Sequence, residues 1–187
     1  VCSSDLTSVR YELNDNAKGK VHLDYRELKD FAWGIDYQYK TDWVGSGLVR
    51  TYYMNERNLN VKHLWSDRTQ PTVEHERYRA QIRHKWTIDP STMIVAEYNR
   101  IRDREFLKDY FEAEYEKEPQ QNTYAVLTNT GTYHAFELRA DKRVNHFYTT
   151  VQRLPEAKLQ IMSVQLANVP LYYSSQSSIG NLDEEFA

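Results

Sequence analysis

Apolar and polar residues alternate with a period of two along most of this chain, the pattern of strands with one greasy and one polar face. In the stretch 31–40, Phe31, Trp33, Ile35, Tyr37 and Tyr39 share one face, and Ala32, Gly34, Asp36, Gln38 and Lys40 the other. In 78–88, Tyr78, Ala80, Ile82, Trp86 and Ile88 oppose Arg79, Gln81, Arg83, Lys85 and Thr87, with His84 breaking the apolar side. Residues 93–101 set Ile94, Ala96 and Tyr98 against Val95, Glu97 and Asn99. Residues 134–140 set His134, Phe136, Leu138 and Ala140 against Ala135, Glu137 and Arg139. Weaker runs lie at 20–27, 48–55, 123–128, 157–164 and 171–178. The pattern therefore predicts roughly nine strands, each near the nine to eleven residues that a tilted strand needs to cross a bilayer.

The connections are uneven. Lys29-Asp30, Trp43–Gly47 and Asp89–Thr92 read as tight turns, helped by Gly45, Gly47 and Pro90. Two connections are long, about 61–76 and 102–120. Two strands separate them, so both fall on one side of the sheet and the turns at 43–47 and 89–92 on the other.

Composition sharpens the reading. Fifteen Tyr and four Trp accompany a mean hydropathy of -0.80, a combination suited to surfaces polar on one side only. A net charge of -3 with both signs interspersed argues against a nucleic-acid partner, which calls for a basic stripe. No run of 18 apolar residues exists, so a transmembrane helix is excluded, whereas membrane strands need no such run. Cys2 is the sole cysteine, so neither an intrachain disulfide nor a cysteine metal site is available. The opening VCSSDL matches the translation of a common sequencing-adapter oligonucleotide, and residues 1–6 are set aside as a candidate artefact. With no initiating Met and the alternation running towards Phe186, residues 7–187 are read as an internal piece of a longer barrel.

A soluble β-sandwich shows the same alternation. Long charged side chains crowded on one face, with aromatics near strand ends on the other, favour a membrane barrel. The expected fold is all-β: an antiparallel meander of long strands forming an open part of a transmembrane barrel. In that frame Ile35, Ile82 and Tyr98 face lipid, while Arg79, Arg83, Lys85 and Arg139 line the lumen with Asp36, Glu97 and Glu137.

Candidate chemistry is sparse. His63, Asp67, Glu74 and His75 share one connection, but their spacing matches no recognised metal-ligand motif. A surface hydrolase would need a nucleophile with a recognisable local setting, and none stands out. No enzymatic activity and no cofactor are expected. Glu112, Glu114, Glu116 and Glu118 alternate, which on a strand would make a carboxylate row able to take divalent cations, or simply a hydrated acidic face. In RDREFLKDYF, Phe106, Leu107, Tyr110 and Phe111 recur so that one or two helical turns bury them together, with Asp103 placed to cap the first.

These last residues carry a resemblance. Asp103, Phe106, Leu107, Asp109 and Tyr110 fit the pattern D-x-x-[FY]-[LF]-x-D-[YF] that follows an early barrel strand in the lipopolysaccharide-assembly protein family LptD (also OstA or Imp). Leu154 and Pro155 match a second, shorter feature of the family two strands later, and the resemblance runs from about residue 8 to the end. It implies a Gram-negative outer-membrane barrel that inserts lipopolysaccharide into the outer leaflet without covalent chemistry. It further implies a lipoprotein plug of the LptE type, a periplasmic bridge of the LptA type, and outer-membrane lipids as partners. Arg79, Arg83, Lys85 and Arg139 are then the expected lipopolysaccharide contacts. A porin-like or other passive barrel shares the alternation without the 103–110 segment, and a carbohydrate-binding β-sandwich is the soluble counterpart.

Overall fold

The computed structural model describes residues 4–26, 30–56, 75–167 and 169–185. Ten strands occur: β1 (Ser4–Asn14), β2 (Ala17–Arg26), β3 (Asp30–Thr41), β4 (Gly45–Asn55), β5 (Glu76–Asp89), β6 (Thr92–Ile101), β7 (Thr123–Thr130), β8 (His134–Lys142), β9 (Thr150–Gln165) and β10 (Tyr172–Glu185). Two short helices, α1 (Phe106–Tyr110) and α2 (Glu112–Lys117), lie between β6 and β7. The strands hydrogen-bond in sequence order from β1 to β10 in one antiparallel sheet, which is not closed into a barrel. The open meander read from the alternation is thus observed, and a two-sheet sandwich is not.

The count differs by one strand. The missed strand, β1, has only Val9, Tyr11 and Leu13 on its apolar side, and its first residues had been set aside. Its backbone nevertheless pairs with β2 from Ser4↔Arg26 to Asn14↔Ala17. The turn between them is local chemistry: the Asn14 side-chain oxygen accepts the Asn16 N–H at 2.9 Å. Asp30 belongs to β3, opposite Arg26, and Lys29 lies outside the described residues. The turn expected at 43–47 falls at 42–44, and Gly45, with φ +90°, already opens β4. There a Cβ would collide with the Lys85 carbonyl oxygen. At 89–92 the Asp89 carboxylate accepts the Ser91 N–H at 2.7 Å.

The chain divides into two units. The first comprises residues 1–40, 48–82 and 99–121. Its buried apolar side chains are Ala32, Tyr52, Met54, Ile101, Phe106 and Leu107, so its small core lies where α1 packs on the strands. Buried beside them are Asp24, Glu56, Arg77, Arg79, Gln81 and Asn99, whereas Phe31, Trp33, Ile35 and Ile82 are exposed. Along β5 the buried positions are Arg77, Arg79 and Gln81, and Ile82 is 44% exposed. Burial is inverted relative to a water-soluble strand.

The second unit comprises residues 41–47, 83–98 and 122–187, and buries Glu97, Asn145, Tyr148 and Gln152. In it Leu154-Pro155 has a visible cause. Asp141 pairs with Arg153 and Arg139 with Glu156, so two residues of β9 oppose the single Ala140 of β8. On the other flank the same two oppose the single Asn181, since Leu182 pairs with Arg153 and Gly180 with Glu156. This is a β-bulge, the place where a strand tolerates a proline that cannot donate to the ladder.

Replacing Gly45 by Ala should destabilise the fold by about 1–3 kcal/mol, the usual cost of a side chain forced into a disfavoured backbone region. Urea titration of the refolded chain, followed by tryptophan fluorescence, reads this directly. An unchanged midpoint would mean that the turn can be rebuilt.

Candidate functional site

The most organised cluster of side chains in the molecule surrounds Arg77. This residue enters at the start of β5, fully buried. Its Nε and Nη2 donate to the two Asp103 carboxylate oxygens at 2.8 and 2.7 Å, a bidentate pair. Nη1 donates to Asp109 at 2.8 Å and to Glu56 at 3.1 Å. The Tyr110 hydroxyl donates to the same Glu56 oxygen at 2.8 Å. The guanidinium carbon lies 5.1 Å from the Tyr110 ring centre and 5.6 Å from that of Phe106, within cation–π range.

Local sequence explains the convergence. Glu56 follows β4, Asp103 follows β6, and Asp109 and Tyr110 sit on α1. Backbone bonds hold these ends together: Glu56 N–H donates to the His75 carbonyl at 2.7 Å and Arg102 N–H to Tyr78 at 2.9 Å. Asp103 does not cap α1 as expected. The residue before the helix is Glu105, which makes no side-chain cap. The Asp103 carboxylate instead accepts the Glu105 N–H at 3.1 Å while gripping Arg77. The aromatic spacing of 106–111 does form a helical turn, with Phe106 and Leu107 buried. Phe106 and Phe111 pack on Tyr52 of β4 at 6.3 and 5.1 Å, and the Tyr52 hydroxyl donates to Asp24 at 2.6 Å.

A second cation extends the cluster. Arg79 stands 3.6 Å over the Phe111 ring and donates to Glu114 at 2.7 Å, and Arg50 reaches Glu114 at 3.5 Å. Of the two readings of 112–118, the alternating carboxylate row does not form, because 112–117 is helix α2 and Glu114 turns to arginines. Among the described residues no group of three or more metal-ligating side chains is arranged to hold an ion. His75 contacts the Glu56 carbonyl through Nδ1 at 2.8 Å, and His63, Asp67 and Glu74 lie outside the described residues.

The remaining nominated positions are spread over the sheet. Arg83 donates to Glu97 at 2.7 Å. Arg139 grips Asp141 through both oxygens, and Arg153 shares that carboxylate at 2.9 Å. Lys85 is exposed. Ile35, Ile82 and Tyr98 are exposed, as are Leu154 and Pro155. Thus Asp103, Phe106, Asp109 and Tyr110 meet around one arginine, with Leu107 buried beside them, while Leu154 and Pro155 belong to the separate bulge in β9. Arg77 and Glu56 were not singled out from sequence. The available signal was a cation at a strand start, flanked in the chain by acidic residues in excess.

No protein-family model matches this chain, and no curated protein matches it.

Burial, and next the Glu56 charge, push the Tyr110 phenol well above the usual tyrosine range. A group whose folded value is raised adds stability below its ordinary value, about pH 10 for tyrosine, and that contribution is lost only at still higher pH. Tyr110→Phe should therefore leave the tyrosinate absorbance rise between pH 9 and 11 unaltered. A rise smaller by one tyrosine would show that Tyr110 titrates normally.

Arg77→Gln leaves three carboxylates facing one another and should cost about 3–5 kcal/mol, the range for breaking a buried ion pair. Arg77→Lys should recover only part, because an ammonium cannot make the bidentate fork. Arg83→Gln, at a half-exposed pair, should cost much less. Chemical denaturation of the three variants measures the order, and equal losses would remove Arg77 from its central place.

Proposed function

We propose that this chain is a section of an outer-membrane β-barrel of the LptD type, which carries lipopolysaccharide to the outer leaflet. The carrying observation is the inverted burial: Trp33, Ile35 and Ile82 face outward, while charged residues are buried and paired on the opposite side. Such a sheet is suited to lipid on one face and a hydrated, charged path on the other. The resemblance gains physical sense from Arg77, since four residues of the motif converge on it. In this reading the chain acts with a lipoprotein plug and a periplasmic bridge, and moves its cargo without making or breaking covalent bonds.

A second reading has its own support. Arg79, Arg83 and Arg139 are each paired with a carboxylate, a balanced wall equally suited to a porin-like channel. The two readings part over cargo.

A photo-crosslinking amino acid at position 83 or 139 of the full-length protein should capture lipopolysaccharide in cells. At position 82, on the apolar face, it should capture less, and depletion of the periplasmic bridge should abolish the signal at 83 and 139. Silent probes at 83 and 139, together with free passage of small solutes, would favour the porin.

A further inference from the structure

The polar face of β1–β3 carries a cavity of about 300 Å³ whose lining includes Arg10, Glu12, Lys18, Lys20, Asp36 and Gln38. Arg10 and Lys20 are direct cross-strand partners, as are Lys20 and Asp36. Like charges placed opposite one another destabilise a strand pair unless something neutralises them. The nearby acids are engaged elsewhere. Glu12 pairs with Lys18 at 3.4 Å, and Asp36 turns to His22 Nε2 at 3.0 Å. Neither Arg10 nor Lys20 has an ion pair or hydrogen-bonded side-chain partner among the described residues. This contrasts with Arg77, Arg79, Arg83 and Arg139, every one of which is matched to a carboxylate.

We infer that the β1–β3 cavity is a binding site for a phosphate monoester, with Arg10 and Lys20 straddling the anion. A guanidinium offers parallel N–H groups that match two phosphate oxygens, and an ammonium adds a compact second charge. The volume lies at the lower end of the roughly 300–1,000 Å³ of small-molecule sites, enough for a phosphate on a single sugar ring. Gln38 can donate to or accept from hydroxyl groups beside it, and the Glu12 and Asp36 carboxylates can accept from them. The phosphate can come from a soluble ester or from a lipid head group, and the same pair of cations serves both. The site rests on β1–β3 alone and does not depend on what the sheet transports.

The test uses the full chain in detergent micelles, titrated with glucose 1-phosphate and read by phosphorus NMR. A saturable shift is expected, with plain glucose failing to compete for it. The Arg10→Gln, Lys20→Gln double variant should weaken binding at least tenfold. Arg10→Lys should weaken it less than the double variant, since an ammonium keeps the charge but loses the fork, and Lys117→Gln, an exposed cation on α2, should leave it unchanged. Circular dichroism confirms that each variant keeps its strands. Competition by phosphatidic acid but not phosphatidylcholine in mixed micelles would identify a lipid-borne phosphate, and no competition a soluble ester; both support the site. No saturable shift in the native chain, equal binding by the double variant, or an equal loss in Lys117→Gln would overturn it. Binding without lipopolysaccharide capture would leave this site standing while the transport reading fell, and the converse holds as well.

Discussion

A guanidinium cannot be buried alone, and that constraint organises the part of the first unit where α1 packs on the strands. Arg77 has no exposed surface, so its charge must be met by acceptors that the chain brings to it. Glu56, Asp103 and Asp109 arrive from the end of β4, the end of β6 and α1. Three acids on one cation would themselves repel if the cation were removed, so arginine and carboxylates require each other. The position of α1 follows from this. Once Asp103 and Asp109 are held, Phe106 and Phe111 are brought against each other and against the Tyr52 ring.

The rest of the polar face uses the same device in weaker form. Arg83–Glu97 and Arg139–Asp141–Arg153 are partly open to water, and exposed pairs of this kind add little net stability. They do satisfy charges that the strand period forces to one side. The opposite side is left with Phe31, Trp33, Ile35 and Ile82 outward, an apolar surface that water disfavours. Such a face is at ease only against something that is itself apolar.

Most of the sheet was legible in the sequence because side-chain direction alternates along every strand. β3 and β5 could be read almost residue by residue. β1 could not, since its place is fixed by backbone pairing with β2 rather than by its own thin apolar face. The motif residues 103–110 were visible as a set, but their common partner was not. Arg77, Arg79 and Arg83 share one face of β5, and nothing in β5 alone separates the two buried arginines from the half-exposed Arg83. Only the return of the chain after β6 makes the difference, and that is a long-range fact. The carboxylates at 112–118 leave two readings open for a related reason: alternation of two residue types over a short span fits strand and helix alike, and here the segment is helix with Glu114 turned to Arg79.

The closure between Glu56 and His75 has a consequence for how this chain can vary. Two contacts, Glu56 N–H to the His75 carbonyl and His75 Nδ1 to the Glu56 carbonyl, clasp the stem of the connection between β4 and β5. Arg77 and Glu56 lock it again one step further in. Because the stem is fastened, the facing ends of β4 and β5 are held to each other by their own contacts. A change made anywhere in the chain between these two ends therefore meets strands that are already tied together.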